Sequence, residues 1–143
     1  DRQEATRRLR DGRAELEDII GGPVAGFVAP AWLYGPGALA AIAAERFAIA
    51  EDHFRVWRPV DGQVLARGPV ITYATRTPAR LASSLAVSRL ASVALRGLPV
   101  LRLATHPYDV AAPSVMRELD RALAAYTSRR RIARYGDLVP ATG

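Results

Sequence analysis

Two loop segments that follow apolar strand-like runs hold the side chains best suited to chemistry. The first, residues 26–33, reads Gly-Phe-Val-Ala-Pro-Ala-Trp-Leu, so that a proline and then Trp32 end the apolar run. A flat indole in this position either caps the end of a sheet as a core residue or packs against the C–H face of a sugar ring. The residues alone leave both interpretations of Trp32 open.

The second segment, residues 103–109, contains His106, one of two histidines in the chain. Imidazole titrates near neutral pH, so a histidine aimed into a cleft can act as a general acid or base. Asp109, three residues later, is expected to fix the tautomer of that imidazole. The alternative is a loop histidine held only by hydrogen bonds.

A third, irregular segment spans residues 50–68 and carries Glu51, Asp52, His53 and Trp57. The run of two acids and a histidine could ligate a metal. Adjacent loop residues rarely all face one ion, however, so we favour a solvated turn and predict no complete metal site in this chain.

Motifs for phosphate binding, a nucleophile elbow or a zinc protease are absent. The serines at 83, 84 and 88 are expected on a helix surface.

Short apolar runs alternate with amphipathic stretches, and this predicts an α/β fold with a mainly parallel sheet and helices outside it. Predicted strands cover residues 24–28, 47–49, 69–73, 100–103 and 132–135, and predicted helices cover 4–20, 36–45, 78–97 and 114–126. A hairpin with its tip at Asp61-Gly62 is expected within the third segment. Functional groups should gather at the carboxyl ends of the parallel strands. The chain opens on a helix without a preceding strand, as the second half of a larger domain would.

Helical spacing also predicts which side chains are buried. The expected inward faces are Ala5, Leu9, Leu16, Ile19 and Ile20 in the first helix, Ala82, Leu85, Ala86, Leu90 and Val93 in the third, and Val115, Met116, Leu119, Leu123 and Tyr126 in the last.

The amino-acid composition limits the classes of function that this chain can have. The chain has 143 residues, half of them apolar, and no cysteine, which excludes disulfides, a thiol nucleophile and cysteine-based zinc sites. No apolar run approaches the roughly 18 residues that a membrane span needs. The net charge of +6 comes from 20 arginines and no lysine, as in GC-rich coding sequences. The arginines are scattered and lack interleaved aromatics, so a nucleic-acid or phosphate-binding domain is only a distant alternative.

The order of the motifs G-F-V-A-P-A-W, a variable excursion and L-x-x-H-P-x-D resembles the C-terminal half of the polysaccharide deacetylases. These are the NodB-homology proteins of carbohydrate esterase family four, and the likeness to their DUF2334-type branch covers residues 4–139. The resemblance implies part of a distorted (β/α)7 barrel that removes acetyl groups from an N-acetylated sugar or polysaccharide. It also implies a divalent metal, most often zinc, and a base, both on motifs that precede the region present here.

Residue by residue, the resemblance assigns few roles. Pro30 matches a motif proline, so the N–H of Ala31 would donate to the oxyanion, and His106 would protonate the leaving amine. Val28 and Ala31 stand where the motif has arginine and tyrosine, and Asp52 with Trp57 loosely echoes an Asp-Trp motif. The candidate sugar contacts are Pro30, Trp32, Trp57 and Tyr108. The alternative is a non-catalytic module of the same fold that binds carbohydrate or a partner protein.

Overall fold

The computed structural model describes residues 1–139 and has a mixed α/β fold. The four α-helices of this region are α1 (Arg2–Ile20), α2 (Pro36–Ala44), α3 (Pro78–Ala94) and α4 (Pro113–Thr127). Its strands are β1 (Gly26–Val28), β2 (Ile49–Glu51), β3 (Arg55–Trp57), β4 (Val64–Arg67), β5 (Val70–Thr72) and β6 (Arg102–Ala104). None of the helices in this region is long and apolar enough to cross a membrane.

The chain divides into two compact units. Unit 1 contains residues 1–67 together with the segment from Arg134, and unit 2 contains residues 68–133. Each unit has its own sheet, and each is described by itself.

The sheet of unit 1 has the strand order β1-β2-β3-β4. β1 and β2 are parallel, whereas β2-β3 and β3-β4 are antiparallel, so the sheet is mixed where a mainly parallel one was predicted. The β3-β4 hairpin is confirmed, and Gly62 at its tip has a φ of 72°. Gly26 permits the close approach of β1 to β2, because a Cβ there would lie 2.6 Å from Cγ1 of Ile49.

The core of unit 1 forms where the rings of Phe27, Phe47 and Trp57 meet Ile42. Helix α1 packs against α2 and ends, as predicted, at a left-handed glycine, Gly21. The predicted inward face of α1 holds only for its first half. Leu16, Ile19 and Ile20 are 50–71% exposed, because the last turns of α1 extend beyond the core.

Unit 2 contains the parallel pair β5-β6 with α3 packed against α4. The predicted inward face of α3 is wrong, since Leu90 and Val93 are 69% and 64% exposed and Ala82 and Ala86 are exposed too. The helix buries Ser88 and Ala91 instead.

Polar contacts explain why α3 buries a different face from the predicted one. The hydroxyl groups of Tyr73 and Ser88, both buried, lie 3.3 Å apart in a hydrogen bond. Ser84, half-buried, accepts a hydrogen bond from the Ala74 N–H at 3.3 Å. Two serines expected on the surface therefore define the inward face of α3, and Ser83 alone is exposed as predicted.

Helix α4 buries Val115 and Tyr126 as predicted and leaves Leu123 36% exposed. The predicted strand at 132–135 is absent from the described chain. A 3₁₀ turn, Tyr135–Leu138, closes there because the Asp137 carboxylate accepts a hydrogen bond from the Arg134 N–H at 2.8 Å, which takes the place of a strand ladder.

Glu118 of α4 is a buried carboxylate in unit 2, 3% exposed. It accepts hydrogen bonds from Arg121 at 2.5 Å and from Arg89 at 3.2 Å. The Arg121 guanidinium, opposed by burial and helped by Ser88 and Arg89, lowers the pKa of Glu118 to about 2. The charged form of Glu118 therefore stabilises the folded state.

We predict that Glu118→Gln lowers the free energy of unfolding by about 1–2 kcal/mol at pH 7, a modest value because both arginines are partly exposed to solvent. A depressed folded-state pKa contributes stability that is complete above pH 4.5 and is lost as the pH falls towards 2. Urea unfolding should show the difference between the two proteins shrinking over that range. Asp120→Asn, on the exposed side of the same helix, is the control and should have little effect. A difference that is constant with pH would contradict the assignment.

Candidate functional site

The parallel pairing of β1 with β2 places the segments that follow them at one edge of the unit 1 sheet. After β1, residues 30–32 form a 3₁₀ turn in which the Trp32 N–H donates to the Ala29 carbonyl at 2.8 Å. After β2, Asp52 and His53 form a second turn. Two of the three sequence segments are thus brought together in this unit.

The Pro30–Trp32 turn holds two consecutive non-glycine residues in the left-handed region, Ala31 with φ 53° and Trp32 with φ 57°. Such a conformation costs on the order of 1–3 kcal/mol per residue and is concentrated at functional sites. Ala31 is exposed, and its N–H donates to no other group within residues 1–139. The turn therefore has a backbone donor without an acceptor among residues 1–139.

The indole of Trp32 is half-buried and fixed at its polar end. Its Nε1–H donates to Oε1 of Glu51 at 3.0 Å, and the Tyr135 hydroxyl donates to Oε2 of the same carboxylate. Glu51 is 6% exposed. The ring of His53 lies 5.1 Å from the indole, centroid to centroid.

Tyr34 ties the two turns together. Its hydroxyl donates to the Glu51 carbonyl at 2.7 Å and accepts from the Ala29 N–H at 3.2 Å. Burial raises the pKa of Tyr34, so the hydroxyl stays protonated and can donate at neutral pH. Tyr34 and Tyr135 were both missed at the sequence level. A tyrosine two residues after Trp32 was the one local signal for Tyr34, and nothing in the chain order connects Tyr135 with Glu51.

The two acids of the third segment, Glu51 and Asp52, have different roles. Asp52 caps its own turn by accepting from the Phe54 and Arg55 N–H groups at 2.9 and 3.0 Å, and His53 is exposed, as a solvated turn requires. Glu51 instead lies buried in β2. No three metal-ligating side chains cluster anywhere in the part of the chain that the structure describes.

Trp57 was a candidate sugar contact, but the structure places it in the core of unit 1. It is 5% exposed and packs with Ile42, Phe47 and Ala50. We therefore leave Trp57 out of the proposed site.

In unit 2, the parallel pair β5-β6 likewise places Thr75 and His106 beyond the carboxyl ends of the strands. His106 is exposed and Tyr108 is 83% exposed. Asp109 is 1% exposed and accepts hydrogen bonds from the His106 backbone N–H at 2.8 Å and from the Thr75 hydroxyl at 3.4 Å.

The predicted role of Asp109 in fixing the His106 tautomer is therefore wrong. Pro107 starts a 3₁₀ turn, and Asp109, two residues after it, accepts from the free backbone N–H of His106 rather than from the imidazole. Asp109 shapes the loop that presents His106.

Comparisons of this chain with protein-family models, with curated proteins and with solved structures give no match.

We predict that Ala31→Val lowers the free energy of unfolding by about 1–2 kcal/mol, because a β-branched side chain resists a left-handed backbone. Ala31→Gly should be close to neutral, since relief of strain offsets the greater freedom of the unfolded chain. Ala25→Val, at an exposed site whose φ is not positive, is the matched control. Urea unfolding measures all three variants, and equal losses for valine at 31 and 25 would exclude backbone strain.

Proposed function

We propose that this chain is the C-terminal part of a NodB-like deacetylase domain, a portion of a distorted (β/α)7 barrel that acts on an N-acetylated sugar or polysaccharide. The observation that carries the proposal is the Pro30–Trp32 turn at the carboxyl edge of a parallel strand pair, in which Ala31 is exposed and left-handed and its N–H donates to no group within residues 1–139. Preorganised backbone donors of this kind stabilise oxyanions in acyl transfer.

The reaction is hydrolysis of an acetamide. Water gives up a proton to the base of the N-terminal half of the domain and adds to the acetyl carbonyl, which forms a tetrahedral oxyanion to which the Ala31 N–H donates a hydrogen bond. The C–N bond then breaks with protonation of the departing amine, a role that the resemblance assigns to His106 of unit 2, and acetate and a free amino sugar are released. The exposure of His106 is consistent with a proton donor that substrate can reach.

The substrate contacts in this proposal are apolar. In unit 1, the half-buried indole of Trp32 packs against a sugar ring next to Pro30, and in unit 2 the candidate sugar contact is the exposed Tyr108. Phe54, 71% exposed, lies beside His53 with ring centroids 6.3 Å apart, so the aromatic surface next to Trp32 is larger than one ring.

The divalent metal implied by the resemblance, with zinc the first choice, does not fit the residues described here. Within residues 1–139 no group of three histidine, aspartate or glutamate side chains could hold it. The metal and the base belong, as the resemblance implies, to the N-terminal half of the domain.

The enzyme hypothesis is tested first in the genomic reading frame. An Asp-Asp pair and a His-x-x-x-His motif are expected upstream of Asp1. If both are missing, the non-catalytic carbohydrate-binding module becomes the better proposal, and the exposed rings of His53 and Phe54 favour it over other binding functions.

In the gene product that carries those motifs, we predict that His106→Ala lowers kcat on an N-acetylated amino-sugar oligomer by roughly 10²-fold or more, with a much smaller change in KM. His53→Ala is the matched control, because this second histidine packs on Trp32 and should mainly raise KM. Steady-state kinetics of acetate release measures both. An unchanged kcat in His106→Ala would refute its role as the acid.

A further inference from the structure

Glu51 is a buried carboxylate that joins two segments far apart in the chain. One of its oxygens accepts from the Trp32 indole and the other from the Tyr135 hydroxyl, although Trp32 and Tyr135 are 103 positions apart by their numbers. Glu51 itself is 6% exposed in β2. A carboxylate this buried is costly unless its oxygens are hydrogen-bonded, so both donors belong to a fixed arrangement.

We propose that Glu51 is the positioning residue of the Trp32 sugar-binding surface, and that Tyr135 holds the Glu51 carboxylate in place. This inference rests on the proposed function, in which Trp32 contacts sugar. Because its Nε1–H donates to Glu51, the indole keeps one orientation. The centroid of the His53 ring lies 5.1 Å from the centroid of the indole. Tyr135 thereby becomes part of the unit 1 site.

An indole fixed before the ligand arrives binds more tightly, because its rotamer freedom is not lost on binding. The Trp32 backbone is left-handed, with φ 57°, and its side chain reaches Glu51 of β2. Glu51 therefore acts through Trp32 and does not itself need to touch the sugar.

The first test is spectroscopic and needs no sugar. The chain has two tryptophans, so ¹⁵N-tryptophan labelling gives two indole N–H signals, which Trp32→Phe assigns. Glu51→Gln should shift the Trp32 indole proton upfield, because a neutral acceptor replaces a charge-assisted one, and should leave the Trp57 signal unchanged. An unmoved Trp32 signal in a folded variant would overturn the proposal.

The second test measures affinity for a β-1,4-linked trimer of N-acetylglucosamine by calorimetry. Trp32→Ala and Glu51→Ala should each weaken binding about tenfold or more, and the double variant should lose no more than Trp32→Ala alone, because residues that act through one contact are non-additive. Additive losses would overturn the proposal. Val60→Ala, an exposed apolar site in the hairpin, is the control for general effects on the surface.

If the Glu51→Ala variant does not fold, the Tyr135→Phe variant tests the same proposal. It removes one hydroxyl from a half-exposed residue and should weaken binding of the trimer two- to fivefold, whereas the same change in a Trp32→Ala background should have no effect. Absence of any trimer binding by the unmodified chain would count against the proposed function alone. The indole signal would then still decide whether Glu51 positions Trp32.

Discussion

The parallel pairing of β1 with β2 is the constraint on which the candidate site of unit 1 depends. It brings the Pro30–Trp32 turn and the Asp52 turn to the same sheet edge, where Tyr34 links them. The pairing itself requires glycine at 26, because a side chain there would collide with Ile49. A single missing Cβ in the strand therefore governs the position of residues five or six places further on.

Burial of the Glu51 carboxylate follows from that pairing, since all three residues of β2 are buried. Because water is excluded, the carboxylate needs donors from the protein, and the indole and phenol supply them. An acid that looks like a metal ligand in the sequence thus organises two aromatic side chains. The two donors lie in a turn near residue 30 and a turn near residue 135, which belong to the same unit.

The sequence predicted elements best where proline or glycine marks their ends. The start of α3 is an example, because Thr77 accepts from the Arg80 N–H at 3.2 Å and proline follows it, as expected. The predicted inward face of α3 was wrong, because alanine, serine and leucine occur all round this helix and more than one face has apolar residues at helical spacing. A buried hydrogen bond between Tyr73 and Ser88 decided the orientation, and such a bond depends on a tertiary contact.

The candidate site was predicted in part for a related reason. The sequence located Ala31, Trp32 and His106 on loops after strands, where the structure has them. It could not show that the Asp109 carboxylate serves a backbone amide, since the same three-residue spacing fits a tautomer-fixing acid and a turn cap equally well. Only the local fold of the loop distinguishes these roles.

One rule connects the aspartates of the loops. Each of four accepts a hydrogen bond from a backbone N–H two or three residues away, and these are Asp52, Asp61, Asp109 and Asp137. Turns expose backbone amides that need acceptors, and aspartate is the shortest side chain that supplies a charged one. The Ala31 amide is the exception, because its turn carries proline, alanine and tryptophan and no such acceptor. A turn that leaves its amide to a ligand is what oxyanion binding requires, and this is why the proposed chemistry centres on a residue without a functional side chain.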